Sequence, residues 1–180
     1  AGVSGINSVR LAQRDCAVTL VDENATRLAA IERIWSELNL RATFVHQKNL
    51  AALPFPSNSF DLAWEWAGLW YLADPEALLK ELVRVSRKLI FVAMPNRVQV
   101  GYLMRKYLLE RDFVEYVDER WADINRIKKI LRDLNVEFID EGVLDVPPWP
   151  DTVMPAAQVL SRLGIKSKKL DSQFTGSNWN

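Results

Sequence analysis

Cysteine and histidine are almost missing from this 180-residue chain, which has one of each, Cys16 and His46. A lone cysteine excludes an internal disulfide and any cysteine metal cluster, and no metal site is expected. A serine-histidine-aspartate relay would have to be built on His46, which reads instead as the last residue of a strand. Cys16 reads as a small residue near a helix end. Charge of one sign is also lacking, since 23 basic and 23 acidic side chains cancel to a formal net charge of zero. A protein that binds nucleic acid usually carries a basic surplus to displace counterions from phosphates. Lys166, Lys168 and Lys169 form too short a basic tail to supply one, so no nucleic-acid partner is expected. No run of roughly 18 apolar residues is present, and none of the chain has the layout of a secretory leader. No membrane partner is expected, and a reducing, cytoplasmic setting is.

What is present is an ordinary globular mixture, 49% hydrophobic and 26% charged. That supports one domain with a core, expected over residues 1–165 with a tail at 166–180. After a short glycine loop, Ile6 to Arg14 reads as a helix. Ala17 to Val21 is β-rich and runs into Asp22. Asn24 can cap a helix whose apolar face is Leu28, Ile31, Ile34, Trp35 and Leu38. Ala42 to His46 and Phe60 to Trp66 are strands, separated by a loop rich in turn residues. Asp74-Pro75 opens a helix with the inner stripe Leu78, Leu79, Leu82, Val83 and Ser86. Leu89 to Met94 is nearly all apolar, as a parallel strand covered on both faces would be. Arg97 to Glu110 reads as a helix weakened by Gly101, and Ile124 to Leu134 as a clearer one. Val136 to Val146 is expected to be a strand broken at Gly142, followed by a rigid proline loop around Trp149 and a short helix from Pro155 to Leu163. Alternating helices and strands predict an α/β fold with a mostly parallel sheet and helices on both faces. Ligands of such sheets bind beyond the carboxyl ends of the strands.

Four segments in order carry a resemblance. They are the loop Ala1-Gly2-Val3-Ser4-Gly5, then Leu53-Pro54-Phe55-Pro56-Ser57-Asn58-Ser59-Phe60-Asp61. Leu69-Trp70-Tyr71-Leu72-Ala73-Asp74-Pro75-Glu76 and Leu82-Val83-Arg84-Val85-Ser86 follow. Together they resemble the class I S-adenosylmethionine-dependent methyltransferases, with a Rossmann-like fold. The resemblance runs from Ala1 to about Asn96 and more loosely to Val146. It implies methyl transfer from S-adenosylmethionine, and a small-molecule acceptor is expected.

The resemblance also implies roles for particular residues. Gly2 and Gly5 would let the loop surround the methionine part of the cofactor. Asp22, at a strand end, can accept hydrogen bonds from both ribose hydroxyls. Asn49 stands where the family usually has an acid facing the adenine amino group, and its amide oxygen can still accept. The Leu50 N–H could donate to a ring nitrogen. Glu65 and Trp66 would flank the sulfonium end, and aromatic faces suit a cation. Trp70 and Tyr71 would line the acceptor pocket. Glu65 and Tyr71 are the candidates for a catalytic base, needed only where the acceptor holds a proton at neutral pH. Pro147-Pro148-Trp149 looks like a motif of base-methylating enzymes but follows the wrong strand, and is read as a structural loop.

Two rival readings share these features. A nicotinamide-dependent enzyme has a similar glycine loop and acid, and a methyltransferase-like partner subunit would tolerate the thinned glycine pattern and Asn49. In this architecture a strand upstream of Ala1 is expected between Ala17–Val21 and Phe60–Trp66. Without one, each of those strands would expose an edge.

Overall fold

The computed structural model describes residues 5–143 and Gly164. They gather into two compact units, one formed by the segments up to Pro95 and by Asp118–Asp140, the other around Asn96–Val117.

The first unit starts at Gly5, which has a backbone φ of 61° and precedes helix α1 (Ile6–Ala12). A Cβ at Gly5 would lie 3.2 Å from Leu20 Cδ1 and 3.3 Å from both Ile31 Cγ2 and Trp35 Nε1. The positive φ favours glycine, and any larger residue would also press these three side chains back by a few tenths of an ångström. Strand β1 (Thr19–Asp22) leads to helix α2 (Ala25–Glu37), whose N-cap Asn24 accepts the Arg27 N–H at 2.9 Å. Leu28, Ile31 and Trp35 are the buried stripe of α2. Leu20, Ile31 and Trp35 form a core, with Val9, Ala12 and Phe44 packed on it. Trp35 meets Phe44 edge to face at 6.2 Å. Strand β2 (Thr43–His46) runs parallel to β1, with Asp22 level with His46.

Strand β3 (Phe60–Trp66) pairs in parallel with β4 (Ser86–Ala93). Helix α3 (Pro75–Val85) makes the crossover that parallel pairing requires. Asp74 caps it by accepting the Ala77 N–H at 3.0 Å, and Leu78, Leu79, Leu82 and Val85 are buried. Ser86 is not in the helical stripe. It has extended φ and ψ, opens β4, and its hydroxyl donates to the Leu89 carbonyl at 2.6 Å. Among the described residues the strands form two two-stranded parallel sheets, β1–β2 and β3–β4. The expectation that β4 is covered on both faces does not hold among these residues. Ala63 is buried, but on the opposite face Leu62, Leu89 and Phe91 are 37%, 46% and 44% exposed. This unit also holds helix α5 (Ile124–Asp133), capped by Asp123 and burying Ile127 and Leu131. The strand expected from Val136 is absent up to Val143. Ile139 and Val143 are each 78% exposed, while the Phe138 ring lies under the cationic ends of Lys128 and Arg132. The remainder of that expected strand, the proline loop and the Pro155–Leu163 helix lie outside the described residues.

In the second unit the helix expected from Arg97 breaks up. A short helix α4 (Val100–Met104) widens into a π-turn over Arg105–Leu109, and a 3₁₀ segment follows over Arg111–Tyr116. Tyr102, Leu109 and Phe113 are buried. Arg105 stacks 3.6 Å above the Phe113 ring and pairs with Glu110 at 2.6 Å. That ion pair draws the chain back and closes the turn where a regular helix would have continued.

Candidate functional site

The site is built from strand ends. At the carboxyl end of β1, Asp22 is buried with its side chain fully enclosed. Its Oδ1 accepts from the Asn24 N–H at 2.8 Å and from Arg27 Nη2 at 2.7 Å. Its Oδ2 accepts from Arg27 Nε at 2.8 Å. Burial alone would raise the pKa of this carboxyl, but the Arg27 guanidinium and the Asn24 N–H outweigh it and hold the group below the usual carboxylate range. The sequence reading missed Arg27. The available signal was its place in the first turn of α2, directly after an N-cap, where the reversing chain returns toward the strand end.

Beyond β2, Asn49 is exposed, and its Oδ1 accepts the Ala51 N–H at 3.0 Å. Leu50 is half-buried beside it. His46, exposed at the end of β2, has Nε2 3.1 Å from the Glu23 carbonyl. The proline-rich motif that follows is pinned by α3. Leu53 N–H donates to Glu81 Oε2 at 2.6 Å, while Arg84 donates to the carbonyls of Phe55 at 2.8 Å and Leu53 at 3.1 Å. Glu81 and Arg84 also pair with each other at 2.6 Å. Two of the recognised sequence segments are therefore one physical unit, which explains why they occur together. Neither Glu81 nor Arg84 was singled out from sequence, since their partners lie far away along the chain.

At the carboxyl end of β3, Glu65 Oε1 accepts the Gly68 N–H. Glu65 Oε2 is buried with no hydrogen-bond partner among the described residues. Burial pushes the Glu65 carboxyl up to about 7, only partly opposed by the Gly68 N–H. A Cβ on Gly68 would fall 2.6 Å from Glu65 Oε1, so the turn closes on the carboxylate only because residue 68 is glycine. On the other face of β3, Trp66 stacks on Phe91 at 5.8 Å and meets Trp64 at 6.2 Å, and all three rings are at least partly exposed. Trp70 is buried, 6% exposed, in a 3₁₀ turn over Leu69–Tyr71 whose Trp70 carbonyl accepts the Asp118 N–H at 2.8 Å. Tyr71, against its ring edge, is 55% exposed. Gly2 lies outside the described residues. Among these residues no cluster of His, Cys, Asp and Glu suits a metal ion, and no helix is long and apolar enough to cross a membrane.

Comparison with known proteins bears on these strand ends. Residues 2–88 match the family described as a methyltransferase domain. No curated protein matches the chain. Among solved structures, the YcgJ protein of Bacillus subtilis is 14% identical, with a TM-score of 0.64 over 98% of this chain and 75% of its own. An S-adenosylmethionine-dependent methyltransferase of Thermotoga maritima is 20% identical, with a TM-score of 0.56 over 75% of this chain and 60% of its own. These two likenesses establish the Rossmann-like fold. A methyltransferase of Methanosarcina mazei is 30% identical over 47% of this chain and 43% of its own, with a TM-score of 0.43. The chain spans between 32% and 50% of the length of the first structures it matches.

The family's cofactor is S-adenosylmethionine, and the residues present fit it. Gly5 supplies the positive-φ turn, Asp22 a buried carboxylate at the first strand end, and Glu65 a buried oxygen still open to a donor. The nicotinamide reading is left without support, because the glycine loop and Asp22 fall inside the segment that matches methyltransferases. By that match residues 2–88 are similar to methyltransferase domains, and the fold that carries them is Rossmann-like.

Proposed function

We propose that the protein transfers the sulfonium methyl group of S-adenosylmethionine to a small-molecule acceptor. The observation that carries this reading furthest is Glu65, a buried carboxyl at a strand end with one oxygen held by Gly68 and the other open. When bound, the cofactor supplies an already activated, electrophilic methyl group, so the protein's task is chiefly positioning and exclusion of water. Asp22 holds the ribose. Asn49 and the Leu50 N–H face the adenine, with the loop that carries them anchored by Glu81 and Arg84. Gly5 shapes the turn around the amino-acid end. Glu65 takes the acceptor's proton on Oε2, and its affinity for protons suits exchange near neutral pH. Trp66 offers an aromatic face to positive charge, and Trp70 and Tyr71 bound the acceptor side, Tyr71 with its ring exposed. The zero net charge supports a small acceptor over a polynucleotide. The setting is cytoplasmic.

A second reading has a specific observation in its favour. Asp22 and Asn49 both have protein partners already, as they would in a methyltransferase-like partner subunit that does no chemistry. Titration calorimetry with S-adenosylhomocysteine, followed by methyl-transfer assays over a panel of amines, phenols and carbon acids, separates the two. Binding with turnover is expected. Binding with no turnover on any acceptor favours the partner subunit, and no binding by the folded chain overturns both the cofactor site and the enzyme.

A further inference from the structure

The carboxylate that should hold the ribose is already taken. A carboxylate has about four acceptor positions, and a vicinal diol needs two of them. At least three on Asp22 are filled, two by Arg27 and one by the Asn24 N–H. The Asn24 N–H belongs to the turn that starts α2 and cannot leave without unwinding it. Arg27 differs. Its backbone is fixed, because its own N–H caps onto Asn24 at 2.9 Å, but its side chain is 45% exposed while that of Asp22 is 0% exposed. Swinging the guanidinium into water costs it little solvation, whereas Asp22 has nowhere to go. Glu23, exposed on the same turn and already attracting Arg27, gives the displaced guanidinium a second partner.

We propose that Arg27 is a displaceable latch on the ribose site: its guanidinium closes both oxygens of Asp22 in the free protein, and the two ribose hydroxyls replace it. The proposal rests on the reading of Asp22 as the ribose acid. Arg27 thereby becomes a residue that determines specificity. A ligand must present both hydroxyls to replace a two-pronged ion pair, since one hydroxyl recovers only half of what is lost. The latch also gives cofactor binding an unusual dependence on salt. Rising ionic strength weakens the partly exposed pair and so favours the open arrangement.

The test uses the full chain and S-adenosylhomocysteine, which carries no net charge and leaves the salt effect to the protein. Arg27→Gln should bind it about five- to tenfold more tightly than the unaltered chain, the gain expected when a closed form that outnumbers the open one by that ratio is removed. The unaltered chain should bind more tightly at high salt than at low salt, and the variant should show no such trend. The 2′-deoxy analogue should bind poorly to the unaltered chain and recover disproportionately in Arg27→Gln. In arginine side-chain NMR, the Arg27 Nε–H signal should move to a solvent-exchanging position on saturation. Weaker binding by Arg27→Gln, or an Nε–H that stays protected in the complex, would show that Arg27 orients Asp22 and would overturn the latch. Should Arg27→Gln fail to fold, Arg27→Lys and the salt series decide in the same way. Asp22→Asn separates this from the underlying reading. If it leaves affinity intact while the unaltered chain binds, Asp22 is not the ribose acid. If neither the unaltered chain nor any Arg27 variant binds, the cofactor site itself is wrong.

Discussion

Two carboxyls sit at the carboxyl ends of two parallel strands, and burial treats them in opposite ways. Asp22 at the end of β1 is enclosed by a guanidinium and a backbone N–H, and stays ionised. Glu65 at the end of β3 has one backbone N–H and a buried oxygen with no partner among the described residues, and takes up a proton near pH 7. Both have lost water. What separates them is whether a fixed positive group came in its place. A buried acid beside a cation is a holding group. One without a cation is a group whose proton can move, as catalysis of proton transfer requires.

The contrast is sharpest in the dependence of stability on pH. The Glu65 pKa rises from an ordinary 4.5 to about 7, so between those values the folded state binds a proton that the unfolded state has lost. This group therefore makes stability fall as pH rises through that window, by about 3 kcal/mol at the upper end. Glu65→Gln should remove the fall and be more stable than the unaltered chain above pH 7, as measured by denaturant unfolding across pH. A parallel shift with the slope unchanged would mean that Glu65 is ionised in the fold. Asp22 has the opposite sign. Its folded pKa is lowered, so its contribution is present above the unfolded value and lost as pH falls through the folded one.

A smaller effect is expected at the β1 end. Asp22→Ala should weaken S-adenosylhomocysteine binding by about 1–3 kcal/mol in calorimetry, the usual loss for hydrogen bonds to a charged group. Unchanged affinity in a folded variant would reduce Asp22 to a partner of Arg27 and a brace for the α2 turn. Smallest of all is Asp61, at the amino end of β3, which Arg87 and Lys88 hold at 2.8 and 3.0 Å in full view of solvent. Arg87→Ala should leave the melting temperature unchanged within error, because water screens such pairs. A clear drop would mean that exposure is not what distinguishes the three acids.

Much of the fold was legible because one kind of signal is strong in this chain. The buried stripe of α2 lies inside its apolar spacing, Asn24 and Asp74 cap where short polar residues precede helices, and β3 spans the stretch from Phe60 to Trp66 as expected. Legibility ended where structure depends on a neighbour. Val136 to Val143 carries strand-like residues but has no strand beside it among the described residues, and propensity alone does not form a strand. Ser86 belongs to the α3 spacing but turns out of it to begin β4. At the site, Asp22 and Glu65 could be picked out by their positions at strand ends. Their opposite electrostatic states could not, since these depend on Arg27 reaching back to Asp22 and on Glu65 Oε2 being buried without a partner among the described residues.

The far side of β3 has a consequence for handling the protein. β3 pairs with β4 along one edge, and no strand lies along its other edge among the described residues. That margin runs through Leu62-Ala63-Trp64, without proline or lysine to discourage a newcomer. Among the described residues it is an edge that an extended segment lying parallel to β3 can close. Sedimentation of this 180-residue stretch should therefore show association that grows with protein concentration. A charged residue such as lysine in place of Leu62 should dissolve it, whereas a monomer at every concentration would mean the edge is already closed.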